Sequence, residues 1–177
     1  ARQLRARGTG DARAPFFTDQ DEKRLLHELS EMSNPNHLRL TKLALVTGFR
    51  RSELLSLNWR DIDLQNNILH VQRKECAARG SSSSMRMIPL PHKAKELLKS
   101  FKSKEGRVIN LTKGSARNGF DRARKKAGLE NLRFHDLRHI AISRMWSSGM
   151  NALEISACSG HRDIKMLMRY SHYQLSF

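Results

Sequence analysis

The spacing of apolar residues changes partway along this 177-residue chain and then changes back, and that pattern restricts what the chain can fold into. From Thr18 to Trp59 apolar positions recur at helical intervals. Thr18 is a good N-cap followed by Asp19 and Asp21, and Leu25, Leu26, Leu29 and Met32 share a face. Asn34-Pro35-Asn36 breaks that helix. A second helix carries Leu38, Leu40, Leu43, Ala44 and Val46 and stops at Gly48, and a third is predicted over 52–59. The middle of the chain then alternates. Asp61-Ile62-Asp63-Leu64 and Ile68-Leu69-His70-Val71 flank Gln65-Asn66-Asn67, which predicts a hairpin. Met85 to Leu90 reads as a third short strand, with Pro89 and Pro91 at its end, and Ala77–Ser84 has the composition of a loop. Helical spacing returns over 92–102, 114–127, 134–148, 151–158 and 162–172. The predicted fold is mainly α with a small antiparallel β-sheet at its edge.

The charge narrows the partner. The chain has a formal net charge of +16, which suits a polyanion such as nucleic acid. Only a small part of that charge lies in residues 1–14, where Arg2, Arg5, Arg7 and Arg13 face a single Asp11. With Gly8 and Gly10 and almost no apolar pattern, 1–14 reads as a flexible basic linker from a missing N-terminal DNA-binding domain, leaving 15–177 as one domain. No long apolar run marks a membrane span and no signal peptide is evident. Cys76 and Cys158 lack CxxC spacing, which argues against a structural zinc or a disulfide framework and makes a reducing cytoplasm the expected setting. Cys158, in an apolar helical stretch, reads as a small core residue.

The chemistry-bearing residues come late. His135, Arg138 and His139 stand at i, i+3 and i+4, so a helix over 134–148 puts them on one face near its N-terminus. Free backbone N–H groups there would favour an anion; the rival reading is a solvated polar first turn. His135 and His139 have the spacing of a zinc-protease pair, but no Glu follows His135. Arg50 and Arg51 follow Gly48-Phe49, and Glu53 is placed to hold one guanidinium bidentately. Gly160-His161 lies between helical stretches, with Tyr170 nine residues after His161. Together these supply two arginines to neutralise phosphodiester oxygens, histidines to donate or move protons, and a phenol to attack, with no metal required. Asp61, Asp63 and Asp121 are too scattered for a two-metal nuclease.

In their order and spacing these segments resemble the catalytic domain of the tyrosine recombinases, the phage integrase family. Thr47-Gly48-Phe49-Arg50-Arg51-Ser52-Glu53-Leu54 with Leu57-Asn58-Trp59-Arg60-Asp61-Ile62 is similar to the family's first arginine box. His135-Asp136-Leu137-Arg138-His139 is similar to its His-x-x-Arg box, and Ser159-Gly160-His161 leading to Met168-Arg169-Tyr170-Ser171-His172 to its final box. The resemblance implies a site-specific recombinase that cleaves DNA through a 3′-phosphotyrosine. Tyr170 would attack, Arg50 and Arg138 would grip the non-bridging oxygens, His161 would donate a hydrogen bond, and His135 would accept the tyrosine proton. Lys74, at the end of the second strand, would be the general acid for the leaving 5′-oxygen, although a longer segment, Glu75–Ser84, replaces the short basic turn usual after it.

The resemblance further implies no cofactor, double-stranded DNA as partner, a homotetramer on DNA that is monomeric when free, and a bacterial or phage-encoded protein of the nucleoid. Ser159 stands where the family usually has an apolar residue and is expected to affect packing alone. Tyr173 shares a helical face with Tyr170, but the Arg-Tyr-Ser-His pattern selects Tyr170; His172 is expected to be peripheral. The C-terminal tail after the tyrosine is expected to be short or cut off. Arg51, Arg117, Arg122, Arg124, Lys125 and Lys126 are candidate DNA contacts, with a solvated cationic face as the alternative for the five on 114–127. The rival functions are a type IB-like topoisomerase and a non-catalytic DNA-binding relative.

Overall fold

Helix α2 (Asn36–Thr47) is the element around which the chain is assembled, because apolar residues occupy most of its circumference. Leu40, Leu43, Ala44 and Leu45 are all buried. In the computed structural model, which describes residues 17–72, 85–101, 105–161 and 164–168, α2 packs against five other helices. These are α1 (Asp19–Ser30), α3 (Arg51–Ser56), α4 (His92–Lys99), α5 (Lys113–Lys126) and α6 (Asp136–Ser147).

Local chemistry sets the helix ends. Thr18 caps α1 through a reciprocal box: its hydroxyl accepts from the Asp21 N–H, and the Asp21 carboxylate accepts from the Thr18 N–H at 2.9 Å. Helix α2 ends at Gly48, whose φ of 65° is left-handed and readily reached without a Cβ. The predicted third helix stops early. Helix α3 ends at Ser56, and Trp59–Asp61 is instead a 3₁₀ turn, whose entry is held by the Asp61 carboxylate accepting from the Asn58 N–H.

Strands β1 (Ile62–Asp63), β2 (Ile68–Gln72) and β3 (Met85–Pro89) form an antiparallel sheet in the order β1-β2-β3. Register pairs Ile62 with Leu69 and Leu69 with Ile88, which puts Leu69 and Ile88 on the buried face. The hairpin turn needs a positive φ, and Asn67 supplies it at 57°. The predicted loop Ala77–Ser84 and the linker 1–14 lie outside the described residues.

After α6, helices α7 (Ala152–Ser159) and α8 (Lys165–Met168) complete the described fold. They pack on the far half of α6 through a second apolar cluster of Ile142, Met145, Trp146, Ile155, Cys158 and Leu167. Cys158 is thus a core residue, and burial raises its thiol pKa, with Glu154 adding to the shift. That cluster fixes the end of α7 beside α6, which matters for the site.

The approach of α5 to α2 is close enough to require a residue without a side chain. A Cβ on Gly119 would overlap the imidazole of the buried His37. Gly119→Ala is therefore expected to destabilise the fold by about 1–3 kcal/mol, although alanine favours a helix over glycine by about 1 kcal/mol. Denaturant unfolding checks this. Adding His37→Ala should recover much of the loss, and equal destabilisation in the single and double variants would show that the contact is not responsible.

Candidate active site

Two helix C-termini converge on one buried guanidinium. Arg138 is on the first turn of α6 and only 3% exposed. Its Nη1 donates to the carbonyl of Gly48, which caps α2, at 2.6 Å and to the carbonyl of Ser159, the last residue of α7, at 2.8 Å. Carbonyls at helix ends lack intrahelical donors and lie at the negative pole of the helix dipole. They can therefore stabilise a buried cation that would otherwise be costly to desolvate. Nη2 lies 3.2 Å from both ring nitrogens of His161.

The same two helix ends deliver the neighbouring residues. Gly48 turns the chain in a left-handed conformation, and Arg50 follows two residues later as the N-cap of α3. A Cβ at Gly48 would meet Ala141 Cβ on α6 at 3.4 Å, so this turn is also tightly packed. Gly160, with φ 73°, does the same after α7 and presents His161. Arg50 remains half-exposed. Glu53 holds it differently from the expected bidentate grip. One carboxylate oxygen accepts from the Arg50 backbone N–H at 2.8 Å, and the other accepts from its Nη1 at 3.4 Å. The carboxylate is shared between capping α3 and orienting the guanidinium, because Glu53 is at the N3 position.

His135 is the N-cap of α6, with its ring at 5.1 Å from His139 in an edge-to-face arrangement. Its pKa is depressed, first by partial desolvation, then by the charge of Arg138; Asp136 opposes this and Arg50 adds to it. His135 therefore feels both arginines, and its charged form is disfavoured. The rival reading of a solvated first turn is not what forms, since Arg138 is buried. Nor are the first N–H groups of α6 left for an anion: those of Asp136, Leu137 and Arg138 donate to the carbonyls of Arg133, Phe134 and His135. The tight turn entering the helix consumes them.

Arg50, His135, Arg138 and His161 are thus brought to one site from three separate segments. Lys74 and Tyr170, together with Tyr173 and His172, lie outside the described residues; β2 ends at Gln72. The candidate DNA contacts divide. Arg51 lies over the Phe134 ring at 5.7 Å. Arg122, Lys125 and Lys126 are exposed on α5, and Arg117 is exposed with its Nε 3.9 Å from Asp121. Arg124 is instead engaged within the fold, donating to Asp121 at 2.8 Å and to the Glu130 carbonyl. Ser159 corrects an expectation: it does more than pack, because its hydroxyl lies 2.7 Å from His161 Nδ1. The available signal was a small hydroxyl residue directly before Gly160-His161. Among the described residues no group of three or more His, Cys, Asp or Glu side chains could hold a metal ion.

The fold is a mainly helical domain with a three-stranded sheet, and its candidate site gathers a buried arginine with histidines. Residues 15–176 match the model of the phage integrase family, and the chain belongs to that family. It is 34% identical over 158 residues to the shufflon-specific DNA recombinase of Escherichia coli, an alignment covering 88% of this chain and 39% of that protein. It is 28% identical over 174 residues to the integrase of Salmonella phage P22, covering 90% of this chain and 44% of the relative. The chain therefore spans less than half the length of these two relatives. Among solved structures, the catalytic domain of bacteriophage HP1 integrase superposes with a TM-score of 0.72 at 28% identity, covering 90% of this chain and 88% of that one.

Proposed function

We propose that this chain is the strand-transfer domain of a site-specific DNA recombinase, working through a 3′-phosphotyrosine intermediate. The observation that carries the reading is the clamped guanidinium of Arg138 beside His161, with the charge of Arg50 reaching His135. Fixed donors of this kind stabilise charge that builds on a pentacoordinate phosphorus, and need no reorganisation as it forms. In the proposed cycle Arg50 and Arg138 grip the non-bridging oxygens of the scissile phosphate. His161 donates a further hydrogen bond. Tyr170 attacks phosphorus, its proton passing to His135, and the 5′-oxygen leaves with a proton from Lys74. Reversal by a different 5′-hydroxyl rejoins the strands, so the bond energy is conserved and no cofactor is consumed.

Double-stranded DNA is the proposed partner, with Arg51, Arg117, Arg122 and Lys125 contacting its backbone. We propose a monomer when free and a tetramer on paired sites, in the bacterial nucleoid. No helix among the described residues is long and apolar enough to cross a membrane. Light scattering showing a stable tetramer without DNA would contradict the assembly proposal.

A duplex with a nick beside the cleavage position tests the activity, because loss of the small fragment traps the covalent complex. Joining between two different duplexes distinguishes a recombinase from a topoisomerase, which would only relax supercoils. Absence of any trapped complex on a cognate site would leave only DNA binding.

The depressed pKa of His135 gives a pH prediction. As proton acceptor it must be neutral, and its free-enzyme pKa lies below the ordinary value of 6.5. The second-order rate constant for cleavage reports the free enzyme. Its acidic limb should be centred below pH 6.5. His135→Gln should lower the plateau and remove that limb; a limb centred above pH 7 would argue against the assignment.

A further inference from the structure

We infer that the Ser159 hydroxyl is a positioning residue for His161, holding a proton on Nδ1 and leaving Nε2 to meet the phosphate. The inference rests on the catalytic reading above and deepens it. Ser159 is fully buried at the end of α7, so water does not compete for its hydroxyl. That hydroxyl has one proton and two lone pairs. It lies 2.6 Å from the Ile155 carbonyl, which can only accept, so its proton goes there. The oxygen then turns a lone pair to His161 Nδ1 at 2.7 Å, and Nδ1 must be the donor. A second serine of α7 fixes the same residue from the other side: Ser156 Oγ donates to the His161 carbonyl at 2.7 Å.

The consequence concerns Nε2. With the proton on Nδ1, a neutral ring presents a lone pair at Nε2; Arg138 Nη2, 3.2 Å from both ring nitrogens, does not distinguish them, so the choice of tautomer falls to Ser159. The imidazolium form of His161 donates to a phosphate oxygen from Nε2 while its Nδ1–H stays on the Ser159 oxygen, so Ser159 supports the donating form and holds the ring in one orientation. An apolar residue at position 159 could not select the tautomer in this way. Nor could it accept from Nδ1–H, and the ring would be held by packing alone.

Long-range ¹H–¹⁵N correlation spectra of the labelled 177-residue chain, taken without DNA well above the ordinary histidine pKa, test this directly. Wild type should show His161 as the Nδ1–H tautomer. Ser159→Ala should shift it toward Nε2–H with little change in melting temperature, since alanine fits the space and keeps the backbone carbonyl that Arg138 uses. Single-turnover trapping of nicked DNA should fall about 5- to 10-fold, the order of one hydrogen bond, because the imidazolium loses its Nδ1–H acceptor and the ring its fixed orientation. A wild-type Nε2–H tautomer, or a tautomer unchanged in Ser159→Ala, overturns the inference. If wild type traps no DNA, the catalytic reading fails and the positioning role with it, while the tautomer shift would still register the Ser159–His161 bond.

Discussion

Tyr170→Phe is expected to abolish covalent trapping of nicked DNA, a loss of at least about 10⁴-fold, with DNA binding unchanged. The substitution removes one oxygen, and that oxygen is the proposed nucleophile. No other group in the proposed cycle can replace it, because a histidine in that role would give an acid-labile phosphoramidate instead of a phosphotyrosine. Tyr173→Phe is the control, since Tyr173 lies three residues further on. Mapping the DNA-linked peptide from the trapped complex identifies the attacked residue independently. Trapping that survives Tyr170→Phe but is lost in Tyr173→Phe would move the nucleophile to Tyr173.

Arg138→Ala should have the second-largest effect, and on two properties together. Cleavage should fall by at least about 10²-fold, the loss typical of a preorganised donor to a transition-state charge. Stability should fall as well. The carbonyls of Gly48 and Ser159 lose their shared donor, and each buried unpaired polar group costs about 1–3 kcal/mol. Arg50→Ala provides the contrast. Its side chain is half-exposed and bonds the Glu53 carboxylate on its own helix, so the substitution should reduce cleavage while moving the melting temperature little. Arg138→Lys keeps the charge but cannot bond both carbonyls and His161 at once, and should recover stability more than activity. Single-turnover rates measured beside thermal unfolding separate these outcomes. An Arg138→Ala protein with normal cleavage would remove Arg138 from the chemistry.

Much of the architecture could be read from the residues, for local reasons. Thr18 with Asp21, and Gly48 after Thr47, mark helix ends through groups a few residues apart. The hairpin is visible because alternation and the Asn67 turn are both short-range signals. The misread element has a partly long-range cause. The third helix was expected to reach Trp59, but Asn58 and Asp61 cap a new turn there, and Asn58 pairs instead with the distant Arg107. A bridge to a residue so far along the chain leaves no trace in periodicity.

The site divides in the same way. Residue types and spacing singled out Arg50, His135, Arg138, His161 and Tyr170, because the boxes are contiguous and chemically unusual. Their relative accessibility was not legible. Arg138 and Arg50 look equivalent as sequence, yet one is buried under two helix ends and the other is half-exposed. Likewise the five cations of α5 look alike, while Arg124 is tied to Asp121 and the Glu130 carbonyl.

By itself, the sequence determined the order of helices and strands, the basic character and which side chains were candidates for the site, since each depends on near neighbours or on composition. Only the tertiary structure decided that the ends of α2 and α7 meet at Arg138, that α6 begins with its N–H groups already used, and that Ser159 touches His161. Those outcomes depend on how apolar faces far apart in the chain pack together, and the energy of that packing is not written in any one segment.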